Sequence, residues 1–217
     1  MRSFFRLCAC LGALVAMSAA SVARADAPAG TIAYTAGVVA IEAAGGTKRF
    51  AVAGSALERG DTIQTMKNAE AVLLMADHQR IYLKGDTVYR IDDYRFGEDD
   101  PARNVSVASL LKGGLRVISG LIGKQGNPDA YQLKTQTATI GIRGTEWSVL
   151  ECGLQCSGDE AGEHVRVYHG TIDVRTDVDH HELSEGYGTI IRSRHSTFDA
   201  MSGTNVKSVV PSPAACK

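Results

Sequence analysis

Short apolar and β-branched runs, most of them closed by Gly, Asp or Asn, recur along the chain. Residues 71–75, 80–83, 88–91, 138–142, 147–150, 165–168, 172–174 and 189–192 are predicted strands. No segment sustains a 3.6-residue period between proper caps. The nearest helical candidate, 105–121, carries Gly113-Gly114 at its centre, which costs about 2 kcal/mol against an alanine pair. It reads as a strand, a glycine bend, then a second strand or a short turn of helix. In the stretch TQTATIGIRGTEW, residues 135–147, Ala138, Ile140 and Ile142 alternate with Thr139, Gly141 and Arg143, so one strand buries its Ala and Ile face. Gly144-Thr145 then bends the chain into Trp147, whose next neighbour on the same face is Val149. Arg143 fits either a contact to an anion or a fork paired to an acidic side chain. The core and turn residues around it favour the fork, with Asp61 and Asp86 as expected partners.

Gly60-Asp61-Thr62-Ile63 is echoed by Gly85-Asp86-Thr87-Val88, and looser Gly-Thr starts occur at Gly30, Gly170 and Gly188. Glycine carries the turn and the β-branched residues enter a strand. The pattern predicts an all-β fold of short strands and Gly-rich turns, either solenoid-like, with echoes stacked as coils, or sandwich-like, with echoes as hairpins. Residues 92–103, rich in acids, and 157–163 read as solvated loops, and 193–217 as a polar, flexible tail.

The N-terminus changes the picture. Arg2 and Arg6 precede an apolar run, and Ala23-Arg24-Ala25 offers small residues around a cleavage site, the layout of a secretory signal peptide over residues 1–25. The expected location is periplasmic or secreted, with cleavage after Ala25 and a mature β domain over 26–192. No later segment approaches the roughly 20 apolar residues of a membrane span. Without Arg2, Arg6 and Arg24, twenty basic residues face 24 acidic ones, a net charge of −4, which provides no footprint for nucleic acid. Of the mature cysteines, Cys152 and Cys156 are spaced for a small disulfide loop in an oxidising compartment, and Cys216 is left over.

Candidate chemistry is thin. Ser109-Leu110-Leu111-Lys112 matches SxxK without the companion motifs of the enzymes that use it. Gly120 to Lys124 lacks the spacing of a phosphate loop. Asp92, Asp93, Glu98, Asp99 and Asp100 lack the register of a calcium loop, and His180-His181 point to opposite faces of a strand. The residues predict no enzyme, no cofactor and no metal site.

Thr135 to Thr145 closely resembles the signature of the FecR domain family, TPxAxxGVRGT. Gly60-Asp61-Thr62-Ile63-Gln64-Thr65 resembles that family's GDxIxT element. Residues 111–116 resemble its central LxxGxx strand, and 167–174 its later VxxGxVxV strand. The ordered set spans about 37–192. Gln136 replaces the usual Pro, and Asp77-His78-Gln79 stands where an Asp-Gly turn is frequent. The resemblance implies a non-enzymatic all-β module in which Gly60, Asp61, Thr62, Thr139, Gly141, Arg143, Gly144 and Thr145 are structural. Family members that give it its name regulate iron-uptake signalling through a periplasmic part. The expected function is therefore protein–protein interaction in envelope sensing or signalling, with an envelope protein as partner. The alternative is a structural or adhesive component that binds glycan or peptidoglycan.

Overall fold

The computed structural model describes residues 27–124, 129–152, 160–207 and 210. The expected signal peptide, Cys156 and Cys216 lie outside them. In chain order the strands are β1 (Gly30–Ala36), β2 (Val39–Glu42), β3 (Lys48–Phe50), β4 (Ala56–Leu57), β5 (Thr62–Thr65), β6 (Glu70–Met75), β7 (Arg80–Leu83) and β8 (Val88–Arg95). They continue as β9 (Val105–Lys112), β10 (Gly114–Ile118), β11 (Tyr131–Lys134), β12 (Thr139–Cys152), β13 (Gly162–Arg175), β14 (His180–Ser184), β15 (Tyr187–Ile191) and β16 (Met201–Ser202). Among the described residues there is no α-helix, only three 3-10 turns at Pro101–Arg103, Ile122–Lys124 and Gly203–Asn205.

All sixteen strands belong to one sheet, with a main path β3-β2-β5-β8-β9-β11-β12-β10-β7-β6-β1-β4. It curls strongly into a half-barrel. The turn between β3 and β4 links the two ends of this path, where Arg49 Nη2 donates to the Ala56 carbonyl at 2.8 Å. The β12–β13 hairpin branches from the path and carries β14 and β15 on its outer side. The echoed segments sit on adjacent antiparallel strands, with Ile63 opposite Tyr89 and Gln64 opposite Val88. They are therefore not parallel coils stacked one above another, and the sheet encloses its core by curling.

The echo also hides a difference in turn geometry. In the first copy Gly60 holds the left-handed conformation at φ +89°, whereas in the second it is Asp86 at φ +60°. Both threonine positions are tied down, but differently. Thr87 is fully buried, and its hydroxyl bridges the N–H and C=O of Gly114 at 3.1 Å each. Thr62 is half-buried in the ladder opposite Arg90. At the β6–β7 turn, His78 takes φ +67°, a conformation that glycine adopts without the Cβ penalty.

The predicted bend at Gly113 is present at φ +90° between β9 and β10. Paired predictions merge: 138–142 and 147–150 are one fourteen-residue strand, as are 165–168 and 172–174. Inward residues change parity along both strands, from Ile140 and Ile142 to Trp147 and Val149, and from Val165 and Val167 to Ile172 and Val174. The register shift between Arg143 and Trp147 is a β-bulge, and the extra residue moves the buried set to the other parity.

The principal core fills the curl, with Trp147, Leu73, Ile81, Leu115 and Val149 fully buried. A second cluster, Val72, Tyr82, Leu150, Cys152 and Val210, lies on the opposite face of the same strands. The segment expected to be a flexible tail is seated on the sheet as far as it is described. Phe198 is buried in the core, Val206 is buried, and Val210 packs on the second cluster beside Gly114. Apolar residues spaced within a polar stretch make this possible, because each valine meets a strand glycine: Val206 at Gly188 and Val210 at Gly114.

Candidate functional site around residues 135–145

The signature stretch divides into a turn that holds the fold and a face open to solvent. Thr135 closes its own turn: its hydroxyl donates to Ala138 O at 3.1 Å and accepts from the Ala138 N–H at 2.9 Å. Ala138 and Ile140 are then fully buried. At the bulge, Gly144 (φ +62°) faces Gly170 (φ +76°) on β13. A Cβ on Gly170 would lie 2.4 Å from the Gly144 carbonyl oxygen, so β13 needs the bare backbone there, while Gly144 is favoured by its left-handed φ. Thr145 is buried, its N–H donates to Ser119 Oγ at 2.8 Å, and Ser119 Oγ returns a 2.8 Å bond to the Thr145 carbonyl. This pins the hairpin to the segment after β10.

Thr139, Gly141 and Arg143 face outward. Gly141 lies opposite Asp173, Thr139 opposite Arg175, and Arg143 opposite Thr171. With no side chain at Gly141, a hollow of about 270 Å³ opens over the strand, walled by Gln132, Thr139, Arg143, Asp173, Arg175 and Arg194 among others. Its charges are largely internally paired. Asp173 accepts from Arg175 Nε at 2.6 Å and lies 2.5 Å from His180 Nε2, and Arg194 Nη2 donates to the Thr135 carbonyl at 2.7 Å. No aromatic side chain lines the hollow among the described residues.

Arg143 meets neither expected partner. Its side chain is 64% exposed and sits 3.6 Å from Glu182 Oε1 on β14. Asp61 is buried and engaged elsewhere, accepting from Arg49 Nη2 and from the Glu58 N–H, each at 3.1 Å. The alternation of core residues implied an outward Arg143; what the sequence could not show is which strand would lie beside it, here β13 and then β14.

Sequence reasoning missed the buried polar groups. Asp77, in the turn before β7, is almost fully buried, and its carboxylate accepts from the Tyr94 hydroxyl at 3.1 Å and from the N–H groups of Gln79 and Ile122 at 3.2 Å each. Burial and the Asp77 charge beside it push the Tyr94 phenol well above its usual range. On β13, Glu163 is buried and its Oε1 has no hydrogen-bond partner. Burial pushes its carboxyl up to about 7, Glu151 adding to the rise, while the Thr135 and Thr137 hydroxyls and Arg194 pull it down less strongly.

The remaining motifs are structural where they can be seen. Ser109 lies on β9, not on a helix, and its hydroxyl donates to Asp92 at 2.5 Å. Lys112 ends the same strand, exposed and beyond a register shift on β9. Three acids of the run are paired with arginines, Asp92 with Arg90, Asp93 with Arg59 and Arg95, and Asp100 with Arg103. His180 faces Asp173, while His181 packs edge-on against Phe198 at 5.0 Å between ring centroids. Cys152 ends β12, buried and disulfide-bonded; the Cys156 expected as its partner is outside the described residues.

A single curled sheet, bulged at paired glycines and carrying a polar signature face, defines an all-β module. The family model described as FecR protein matches residues 61–173, just over half of the chain, and the chain belongs to the FecR family. Two crystal structures of a candidate anti-sigma factor from Parabacteroides distasonis ATCC 8503, at 1.65 Å and 2.50 Å, are similar to it at 15% and 14% identity. Each similarity covers 65% of this chain and 59% of the other, with a TM-score of 0.49. The chain thus spans about three fifths of the length of these structures. None of the curated proteins matches it.

Proposed function

We propose that this chain is an exported, non-catalytic FecR-domain module that acts in envelope sensing or signalling by contact with another protein. The observation that carries this reading is the split within the family signature. Gly144 and Thr145 are consumed by the fold, whereas Thr139, Gly141 and Arg143 present polar groups and a hollow to solvent. Arg143 is 64% exposed and, among the described residues, pairs only with the exposed Glu182, a contact that adds little to the fold and leaves the guanidinium free to meet a partner. The signal-peptide pattern supports an oxidising, extracytoplasmic location, where a Cys152–Cys156 bond would close the end of the β12–β13 hairpin. A lining of Arg, Asp, Gln and Thr without an aromatic ring suits a protein surface better than sugar stacking.

The test is cross-linking of the tagged chain in its own cell envelope, followed by mass spectrometry, with the wild type and Arg143→Glu side by side. One dominant protein adduct, lost in the variant, is the expected result. Glycan-bearing peptides with no dominant protein would replace this reading by attachment to the cell wall.

A further inference from the structure

The open end of the sheet has a character unlike the rest of the surface. β3 ends the strand path and is paired with β2 alone, Phe50 lying opposite Ala40 and Lys48 opposite Glu42. Ala51 N–H donates to Val39 O and Ala43 N–H to Thr47 O, at 2.8 and 2.9 Å. Odd-numbered residues of this segment therefore address β2, and antiparallel alternation turns the N–H and C=O groups of Lys48 and Phe50 away from it. The open stretch is short because Val52 is already occupied, exchanging hydrogen bonds with Ser55.

The outer face beside this edge is apolar. Extending the β2–β3 register by two residues and the β2–β5 register by one places Val52, Val38 and Met66 in one cross-strand row, in keeping with the Ala51 N–H bond to Val39 O and the Met66 N–H bond to Val38 O at 3.0 Å. Phe50 is two residues along on the same face. Phe50 is 78% exposed, Val52 62% and Val38 51%. Edge strands are ordinarily guarded by charge, proline or a cover; here the only charge on this face of β3 is Lys48, paired at 3.2 Å with Glu42 on β2 and still largely exposed on its open side.

We infer that the β3 edge is a docking strand for an extended segment of another protein, added antiparallel to Lys48–Phe50. Resting on the protein-contact reading above, the inference says where a partner attaches and what it looks like. An extended backbone can replace water on the outward N–H and C=O groups of Lys48 and Phe50 together. Alternate side chains of that segment lie over Val52, Phe50 and Lys48 in turn, so it reads apolar-x-apolar-x-acidic. Charge decides against a second copy of this chain: antiparallel pairing of β3 with itself brings two Lys48 and two Arg49 side chains onto neighbouring strands.

The test uses the full chain labelled with nitrogen-15 and the peptide Val-Thr-Val-Thr-Glu, capped at both ends. The expected result is saturable amide shifts confined to residues 38–40, 48–52 and 64–66. Replacing the peptide's Glu by Lys should weaken binding at least threefold, and Phe50→Lys, at an exposed position that leaves the fold intact, should abolish it. Absence of saturation at millimolar peptide, or shifts centred on the Gly141 hollow, would overturn the inference. So would a concentration-dependent dimer in sedimentation that Phe50→Lys dissolves, which would assign the edge to a second copy. Absence of a dominant protein adduct from the wild-type chain in the envelope, with peptide binding retained, would overturn the proposed function and leave this edge standing.

Discussion

Glu163→Gln should make the protein more stable at neutral and alkaline pH, and the gain should vanish in acid. The carboxyl is buried on β13 and its ionisation is pushed up to about 7 from an ordinary 4.5. The unfolded chain releases this proton near pH 4.5 while the folded chain holds it to about pH 7. The favourable contribution is therefore complete below pH 4.5 and is lost as pH rises through about 7. A gap of 2.5 pH units, at about 1.36 kcal/mol each, is about 3 kcal/mol. Glutamine keeps the shape and cannot ionise. Urea unfolding of both chains at pH 4, 5.5, 7 and 8.5 should show the stability difference growing by about 3 kcal/mol across the series. With a slope of roughly 2 kcal/mol/M, that moves the relative midpoints by somewhat more than 1 M. A difference that stays flat with pH would show that Glu163 is ionised in the fold and that its burial does not govern its proton.

Other substitutions separate fold from surface. Arg143→Ala should change stability by less than about 0.5 kcal/mol, since its ion pair with Glu182 is exposed; thermal melting checks this. Thr145→Ala removes a buried hydroxyl beside Ser119 and should cost about 1–3 kcal/mol by denaturant titration. Gly170→Ala places a Cβ against the Gly144 carbonyl at a positive φ and should cost more than about 2 kcal/mol, or prevent soluble expression. His78→Gly relieves a left-handed histidine and should raise stability by up to about 1 kcal/mol, visible as a higher melting temperature.

Much of this was readable from local pattern. Alternation placed Ala138, Ile140 and Ile142 in the core, and the Gly113 bend split 105–121 into two strands. The parity change at the bulge was not readable as such: Gly144-Thr145 marked a bend, but only the facing Gly170 shows that both strands shift together. The partners of Arg143 failed because they depend on long-range register; Asp61 satisfies Arg49 and Glu58 instead. Strands β2 to β4 escaped because β2 and β4 are only four and two residues long and Lys48 and Arg49 leave β3 without an apolar run, so pairing, not propensity, makes them strands. Glu163 and Asp77 gave no signal, since burial of a carboxylate is decided by what folds over it.

The measurement that bears most directly on the central claim pairs stability with capture. A photo-reactive residue at position 143 of the chain, with Thr145→Ala as the fold control, would be irradiated in the cells that make it. The account predicts one dominant protein adduct from position 143 and an unchanged melting temperature for that chain, while Thr145→Ala lowers the melting temperature. Unfolding on replacement of Arg143, or an adduct pattern with no dominant protein, would contradict it.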